Sequence, residues 1–282
     1  MKVVVCKSSG LCFGAKRAID IAEGNPNSVL IGGPILRNPV INNRLEKDFG
    51  ITIQPDYKKI VSKQKAIITA HGLPKRVEDE LRNKGIDLVD STCPTVKKVH
   101  HKVRELTEAG YYIVLFGDKK HPETIGHVGY ANDNIFVVET VDEAISNIPS
   151  LLEHVRHGQK IALLAQTTKN QTDLLEISVT FKEKGVGHDL VDTTCSAVRE
   201  RQKEVATLAK SVDVVIVVGG KASHNTVLLK TTASKYKPTY HIESADEINK
   251  DWFAGKKSCG LVGGVSCPEY LIDEVQKRLY AF

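Results

Sequence analysis

The segment Val89-Asp-Ser-Thr-Cys-Pro-Thr-Val96 recurs later in the chain as Val191-Asp-Thr-Thr-Cys-Ser-Ala-Val198. Each copy has an apolar lead-in, an Asp, two hydroxyl residues and a Cys. A charged stretch with helical spacing follows: KKVHHKVRELTEAG after Cys93 and RERQKEVATLAKS after Cys195. Val99, Val103 and Leu106 recur at intervals that place them on one helix face, as do Val205, Leu208 and Ala209. A weaker third copy surrounds Cys12, with strand-like VVVC before it and GAKRAIDIAE after it as a helix. Repetition on this scale points to a repeated supersecondary unit.

The likeness extends past each helix. An apolar run ending in glycine leads into a polar loop: VLIGGPILRNP (Val29 to Pro39), IVLFGDKKHPE (Ile113 to Glu123) and VIVVGGKASHN (Val215 to Asn225). A second strand and loop then recur as AIITAHGLP (Ala66 to Pro74), IALLAQTTKN (Ile161 to Asn170) and CGLVGGVSCPE (Cys259 to Glu269). Apolar runs ending in glycine are common in any α/β protein, and the Asp-Ser/Thr-Thr-Cys match is what singles this pattern out. Strands alternating with helices imply parallel sheets, and ligands bind beyond the carboxyl ends of such strands. The expected fold is α/β, with three similar units over 1–92, 93–191 and 192–282. A pseudo-threefold arrangement would bring three Cys and six polar loops to one cavity.

Bulk composition narrows the function classes. A chain of 282 residues with 41% hydrophobic and 26% charged residues reads as an ordinary soluble globular protein. Its net charge of +5 comes from scattered Lys and Arg. That suits a small anionic substrate or an acidic redox partner, and no dense basic tract speaks for nucleic acid. The longest apolar run, Val214 to Val218, is far short of the roughly 18 residues that a membrane span needs. MKVVVCKSSGLCFG reads as a first strand, with no signal-peptide pattern, so the expected location is cytoplasmic. In that compartment the six cysteines are ligands, nucleophiles or core filler rather than a disulfide framework.

No two cysteines stand in a C-x-x-C pair. Cys6, Cys259 and Cys267 lie in or beside strands and read as small buried hydrophobes. Cys12, Cys93 and Cys195 occupy the same place in each unit, and three converging thiolates would hold a soft metal centre. An iron–sulfur cluster usually takes four thiolates, so three would leave one iron open. The alternative is a three-Cys zinc site, normally completed by a nearby His.

Together these motifs resemble the LytB/IspH family of reductases. The likeness spans the whole chain: GLCFGAKRAIDIAE, AHG at Ala70 to Gly72, DSTCPTVKKVH, GDKKHPE, AQTT at Ala165 to Thr168, RERQKEV after Cys195, VVGGKASHNT, ESADEI and the closing SCPE. The resemblance implies three α/β domains around one 4Fe–4S cluster, held by Cys12, Cys93 and Cys195 with one iron open. It implies reductive loss of the C4 hydroxyl of 4-hydroxy-3-methylbut-2-enyl diphosphate, giving isopentenyl and dimethylallyl diphosphates. Two electrons would come from ferredoxin or flavodoxin. The family's motifs carry roles onto particular residues. Glu123 would donate the proton that lets the hydroxyl leave as water. Thr167 would relay or orient that proton, with His121 beside it. His71, His121, Ser223, Asn225 and Ser266 would hydrogen-bond the diphosphate, helped by backbone N–H groups at helix N-termini.

The chain departs from the family pattern on the anion-binding side. Arg37 stands where a His is usual; it binds phosphate bidentately but cannot give up a proton near neutral pH. His224 replaces a smaller neighbour in Ala222-Ser223-His224-Asn225. Val262-Gly263-Gly264-Val265-Ser266 replaces a more polar segment, and Val227 and Leu228 are apolar. Three readings follow: the isoprenoid-pathway reductase with a variant pocket, a paralogue reducing a different anionic substrate, or a cluster-bearing sensor without turnover.

Overall fold

The computed structural model describes residues 1–61 and 64–281. Strand β1 (Lys2–Val5) precedes Cys12 and helix α1 (Phe13–Glu23). Next come β2 (Val29–Ile31), α2 (Pro39–Phe49), β3 (Thr52–Gln54), β4 (Lys65–Ile68), α3 (Lys75–Asn83) and β5 (Asp87–Asp90). Cys93 then opens α4 (Pro94–Glu108). The chain continues through β6 (Tyr112–Phe116), α5 (Pro122–Val128), β7 (Ile135–Val138), α6 (Val141–Ser146) and α7 (Ile148–Arg156). After β8 (Ile161–Ala165), α8 (Gln171–Glu183) and β9 (Asp189–Leu190), Cys195 leads into α9 (Ser196–Ser211). The last elements are β10 (Val214–Val218), α10 (His224–Ser234), β11 (Thr239–Ile242), β12 (Ser258–Gly263) and α11 (Glu269–Tyr280).

These strands form three four-stranded sheets, ordered β1-β12-β10-β11, β5-β4-β2-β3 and β9-β8-β6-β7. Every pairing is parallel. The order is the same in each sheet: the strand leading to a Cys lies at one edge, and the two strands leading to polar loops lie at the centre. From the inner strand β2 the chain runs out to the edge strand β3, then returns to β4 on the other side. The loops after β2 and β4 therefore flank a topological switch point, the place where open α/β sheets bind ligands. The loops after β6 and β8, and after β10 and β12, stand alike. Central strands need apolar side chains on both faces, and all five residues of β10 and of β8 are buried.

Cys93 and Cys195 thus follow the last strand of a completed sheet, whereas Cys12 follows β1, whose sheet closes only with β12. The sheets over 29–90 and 112–190 fall inside the expected spans 1–92 and 93–191, whereas the third takes β1 from the first span. Val3 pairs with Cys259 and Val5 with Leu261. The chain divides into two compact units: Met1–Ile19, Leu36–Asp48 and Ser196–Phe282 form one, and Asp20–Ile35 with Phe49–Cys195 the other. The first unit has its core under β10 and β12, built on Val214, Ile216, Leu261, Leu271 and Val275. The second buries Val114, Leu163, Ile177 and Phe181 on one face of the β6–β8 sheet, and Ile31, Ala66, Ile68 and Leu81 against β2 and β4. Among the described residues no helix is long and apolar enough to cross a membrane.

Candidate functional site

Cys12, Cys93 and Cys195 share one local geometry. Each backbone N–H donates to a carbonyl in the loop beyond the neighbouring strand: Val265 O at 3.0 Å, Ala70 O at 3.0 Å and Thr167 O at 2.8 Å. Each then starts a helix, where the unpaired N–H groups favour a thiolate. The Ala15 N–H donates to Cys12 Sγ at 3.4 Å. These three thiols are half-buried, while Cys6, Cys259 and Cys267 are fully buried. Burial pushes each of the latter up to about 12, which keeps them protonated and poor ligands. Beside Cys12 lies a buried cation, Arg201, 4% exposed. Its Nη1 donates to the carbonyls of Gly10 and Gly263, both at 3.0 Å. Burial lowers its pKa, and the Cys12 thiolate is foremost among the charges that oppose the shift. A buried guanidinium with a thiolate as its leading counter-charge suits an anionic iron–sulfur ligand set. Among the described residues, no three His, Cys, Asp or Glu side chains are grouped around a single-ion site.

In the unit that holds β2 to β9, the loops after β4, β6 and β8 bring four predicted residues together. His121 is the N-cap of α5 and accepts the Glu123 N–H on Nδ1 at 3.1 Å. The rings of His121 and His71 meet edge to face at 5.3 Å. Glu123 is 2% exposed, and its Oε1 accepts the Thr167 N–H at 2.7 Å. The same oxygen lies 3.2 Å from His127 Nε2. Burial alone would raise the Glu123 pKa. The His127 hydrogen bond, the charges of His127 and His121, and the Thr167 N–H outweigh it and hold the carboxyl down at about 2. Glu123 therefore rests as a carboxylate. Gln166, fully buried, braces the loop: its Oε1 accepts from Asp118 N at 3.0 Å and Thr124 Oγ1 at 3.2 Å.

The remaining predicted residues meet in the other unit. Ser223 is the N-cap of α10 and accepts the Thr226 N–H, while His224 opens the helix. Arg37 Nη1 donates to Ala222 O at 3.2 Å. Asn38 donates to Ser266 O at 2.7 Å and caps α2 by accepting from Val40 N at 3.0 Å. Close approach decides the residue at 220: a Cβ on Gly220 would fall 2.1 Å from the Arg37 carbonyl oxygen. Asn225 and Ser266, 1% and 5% exposed, have side-chain atoms without hydrogen-bond partners: both amide atoms of Asn225 and Oγ of Ser266. Thr226 Oγ1 is in the same state. Buried orphans of this kind cost about 1–3 kcal/mol each unless something fills the site. Here they lie beside the N-terminus of α10, whose N–H groups favour an anion.

A family model described as LytB protein matches residues 3–280. The chain belongs to the LytB family. Relatives named 4-hydroxy-3-methylbut-2-enyl diphosphate reductase include one from Helicobacter pylori, 40% identical over 99% of both chains. Another, from Campylobacter hominis, is 39% identical over 99% of this chain and 98% of its own. A solved structure titled (E)-4-hydroxy-3-methyl-but-2-enyl diphosphate reductase, the terminal enzyme of the non-mevalonate pathway, is 34% identical. It covers 100% of both chains with a TM-score of 0.70. The Plasmodium falciparum reductase structure shares the fold at a TM-score of 0.89 and 24% identity, covering 99% of this chain and 87% of that one.

Within this LytB chain, sequence reasoning overlooked Asn38, Thr226, Gln166, Arg201 and the His100–His127 pair. Asn38 carried a signal, since Asn before Pro39 is a standard helix entry. Thr226, Arg201, His100 and His127 sit inside helices and Gln166 just past β8, and all look like filler until their partners are known.

Proposed function

We propose that the chain reduces 4-hydroxy-3-methylbut-2-enyl diphosphate to isopentenyl and dimethylallyl diphosphates. The observation that carries this reading is the near-full-length relation, at 40% identity, to reductases of that name. Cys12, Cys93 and Cys195 would hold an iron–sulfur cluster of the 4Fe–4S type. When bound, that cluster supplies electrons one at a time and an open Lewis-acidic iron. The electrons come from a small carrier such as ferredoxin or flavodoxin.

The protein's own residues bind, orient and move protons. In the net reaction the C4–O bond breaks, two electrons and one proton go to carbon, and a second proton leaves with the oxygen as water. Glu123 delivers the proton to oxygen, and Thr167, hydrogen-bonded to it through the backbone, orients the transfer. His121 and His71 flank that hydroxyl or the diphosphate. Arg37, Ser223, His224, Asn225 and Ser266 hold the diphosphate. Asn225 Nδ2 and the Ser266 hydroxyl donate to its oxygens and so lose their orphan status. Arg37 brings a fixed charge where a His would titrate.

The test is anaerobic purification followed by a reductant-driven assay with 4-hydroxy-3-methylbut-2-enyl diphosphate. Formation of the two products is expected; no turnover by protein with full iron content would overturn the reading. Alanine at Cys6, Cys259 or Cys267 should leave iron content intact. Iron lost from any of these variants would sink the ligand assignment.

A further inference from the structure

Glu123 presents a supply problem. It rests as a carboxylate, 2% exposed, yet the proposed reaction draws a proton from it at each turnover. The only imidazole bonded to its Oε1 in the described contacts is His127, itself 0% exposed. Because a carboxylate only accepts, His127 Nε2 carries the hydrogen and donates it at 3.2 Å. The far side of that ring, Nδ1, is buried with no partner. A second orphan lies beside it: His100 Nε2, on a ring whose centroid is 5.0 Å from that of His127. Two partnerless ring nitrogens on touching rings are each destabilising unless they meet. Rotation of either ring would join them as N–H···N, and one bridging water as N–H···O–H···N.

His100 connects this pair to the surface. It stacks on Tyr130 at 4.4 Å and lines a cavity of about 200 Å³ with Asp90, Lys97, His101 and Arg104. Two of its lining side chains, Lys97 and Arg104, are 40% and 45% exposed and so connect it to solvent. Glycine at 126 lets the ring sit close, since a Cβ there would stand 3.0 Å from His100 Nε2 and press the ring aside by a few tenths of an ångström.

We propose that His100 and His127 form a proton path from the Asp90–Lys97–Arg104 cavity to Glu123, reloading it between turnovers. The path rests on the reductase reading above. In each cycle the His127 Nε2 proton passes to Glu123 Oε1. His127 Nδ1 takes a proton from His100 Nε2, and His100 regains one from solvent in the cavity. These transfers leave each ring in its other tautomer, and proton exchange with water from the cavity resets both before the next turnover. The groups facing the path are His127 and His121 around Glu123, and His127, Glu123, His101 and Asp90 around His100. Burial, then the charge of His127, pushes His100 down to about 3, so it rests neutral with one nitrogen donating and one accepting, the form a relay needs.

His127→Gln keeps a donor to Glu123 but cannot pass a proton through. His100→Ala opens a hole into the cavity that added imidazole can enter. At equal iron content, each variant should lower kcat at least tenfold with KM within about threefold, and each should enlarge the D2O effect on kcat. Imidazole should restore His100→Ala but not His127→Gln. Should His100→Ala misfold, His100→Gln replaces it, read by the D2O effect alone. Wild-type turnover with either variant within twofold of it would overturn the path, as would a loss that neither imidazole nor D2O touches. Absence of wild-type turnover in the same assay would instead sink the reductase reading, and the path with it.

Discussion

The Glu123 carboxylate and the Asn225 amide, one in each compact unit, are buried in opposite states. Around Glu123 the carboxylate oxygen is met by Thr167 N–H and His127, and Gln166 ties the next turn down. At Asn225, equally buried, neither amide atom has a partner, and the hydroxyls of Ser266 and Thr226 share that condition. A satisfied network is rigid in the free protein and holds a catalytic group in place. An unsatisfied one stores a cost that only a ligand relieves, so its residues should govern affinity rather than rate. The difference separates chemistry from binding within one chain.

Substitutions can break or sharpen that separation. The largest effect is expected at Glu123→Gln, which should lower kcat by about 10²–10⁴ with little change in KM. A raised KM at full kcat would make Glu123 a binding group and erase the contrast. Next comes Arg37→Ala. Losing a charge-assisted contact worth about 1.5–3 kcal/mol should raise KM roughly 10- to 100-fold and spare kcat. An unchanged KM would move the anion site elsewhere. Ser266→Ala is the sharper probe of the orphan atoms. It should leave the melting temperature of the free protein unchanged or slightly higher, yet weaken inorganic pyrophosphate binding about fivefold. Destabilisation without loss of binding would show that the hydroxyl serves the fold.

The smallest effect concerns pH. Cys6, Cys259 and Cys267 have thiols raised from 9.0 to about 12 by burial. Neutral thiols favour the folded state, so this contribution is whole below pH 9 and drains away as pH climbs toward 12. Melting temperature should fall between pH 9 and 11, and a variant with Ala at all three positions should show a flatter fall. Equal slopes would mean that the thiols are wetter than their burial implies.

Much of this was legible in the residues themselves. Continuous apolar runs such as Val214–Val218 can be little else than central parallel strands, and the repeated Asp-Ser/Thr-Thr-Cys placed each Cys at a strand-to-helix turn. Glu123 stood out because, among the loop carboxylates, it matches the HPE motif of the family that the chain resembles. Partnership across long stretches of chain was not legible. Nothing in VVVC says that β1 pairs with residues 258–261, because register is set by edges meeting far apart in sequence. His100 and His127 sit on amphipathic helices where a histidine is unremarkable, and only packing made them neighbours. Gly220 shows its necessity only once the Arg37 carbonyl lies against it.

The pairing of β1 with β12 carries a temporal consequence. During synthesis the first strand emerges at once but finds its hydrogen-bonding edge only after residue 263 has left the ribosome. Cys12, seven residues beyond that strand, is thus the first made of the three proposed ligand thiols and the last to be seated. Metal loading that needs all three sulfur atoms must wait for a finished chain, while the sheets carrying Cys93 and Cys195 can already stand.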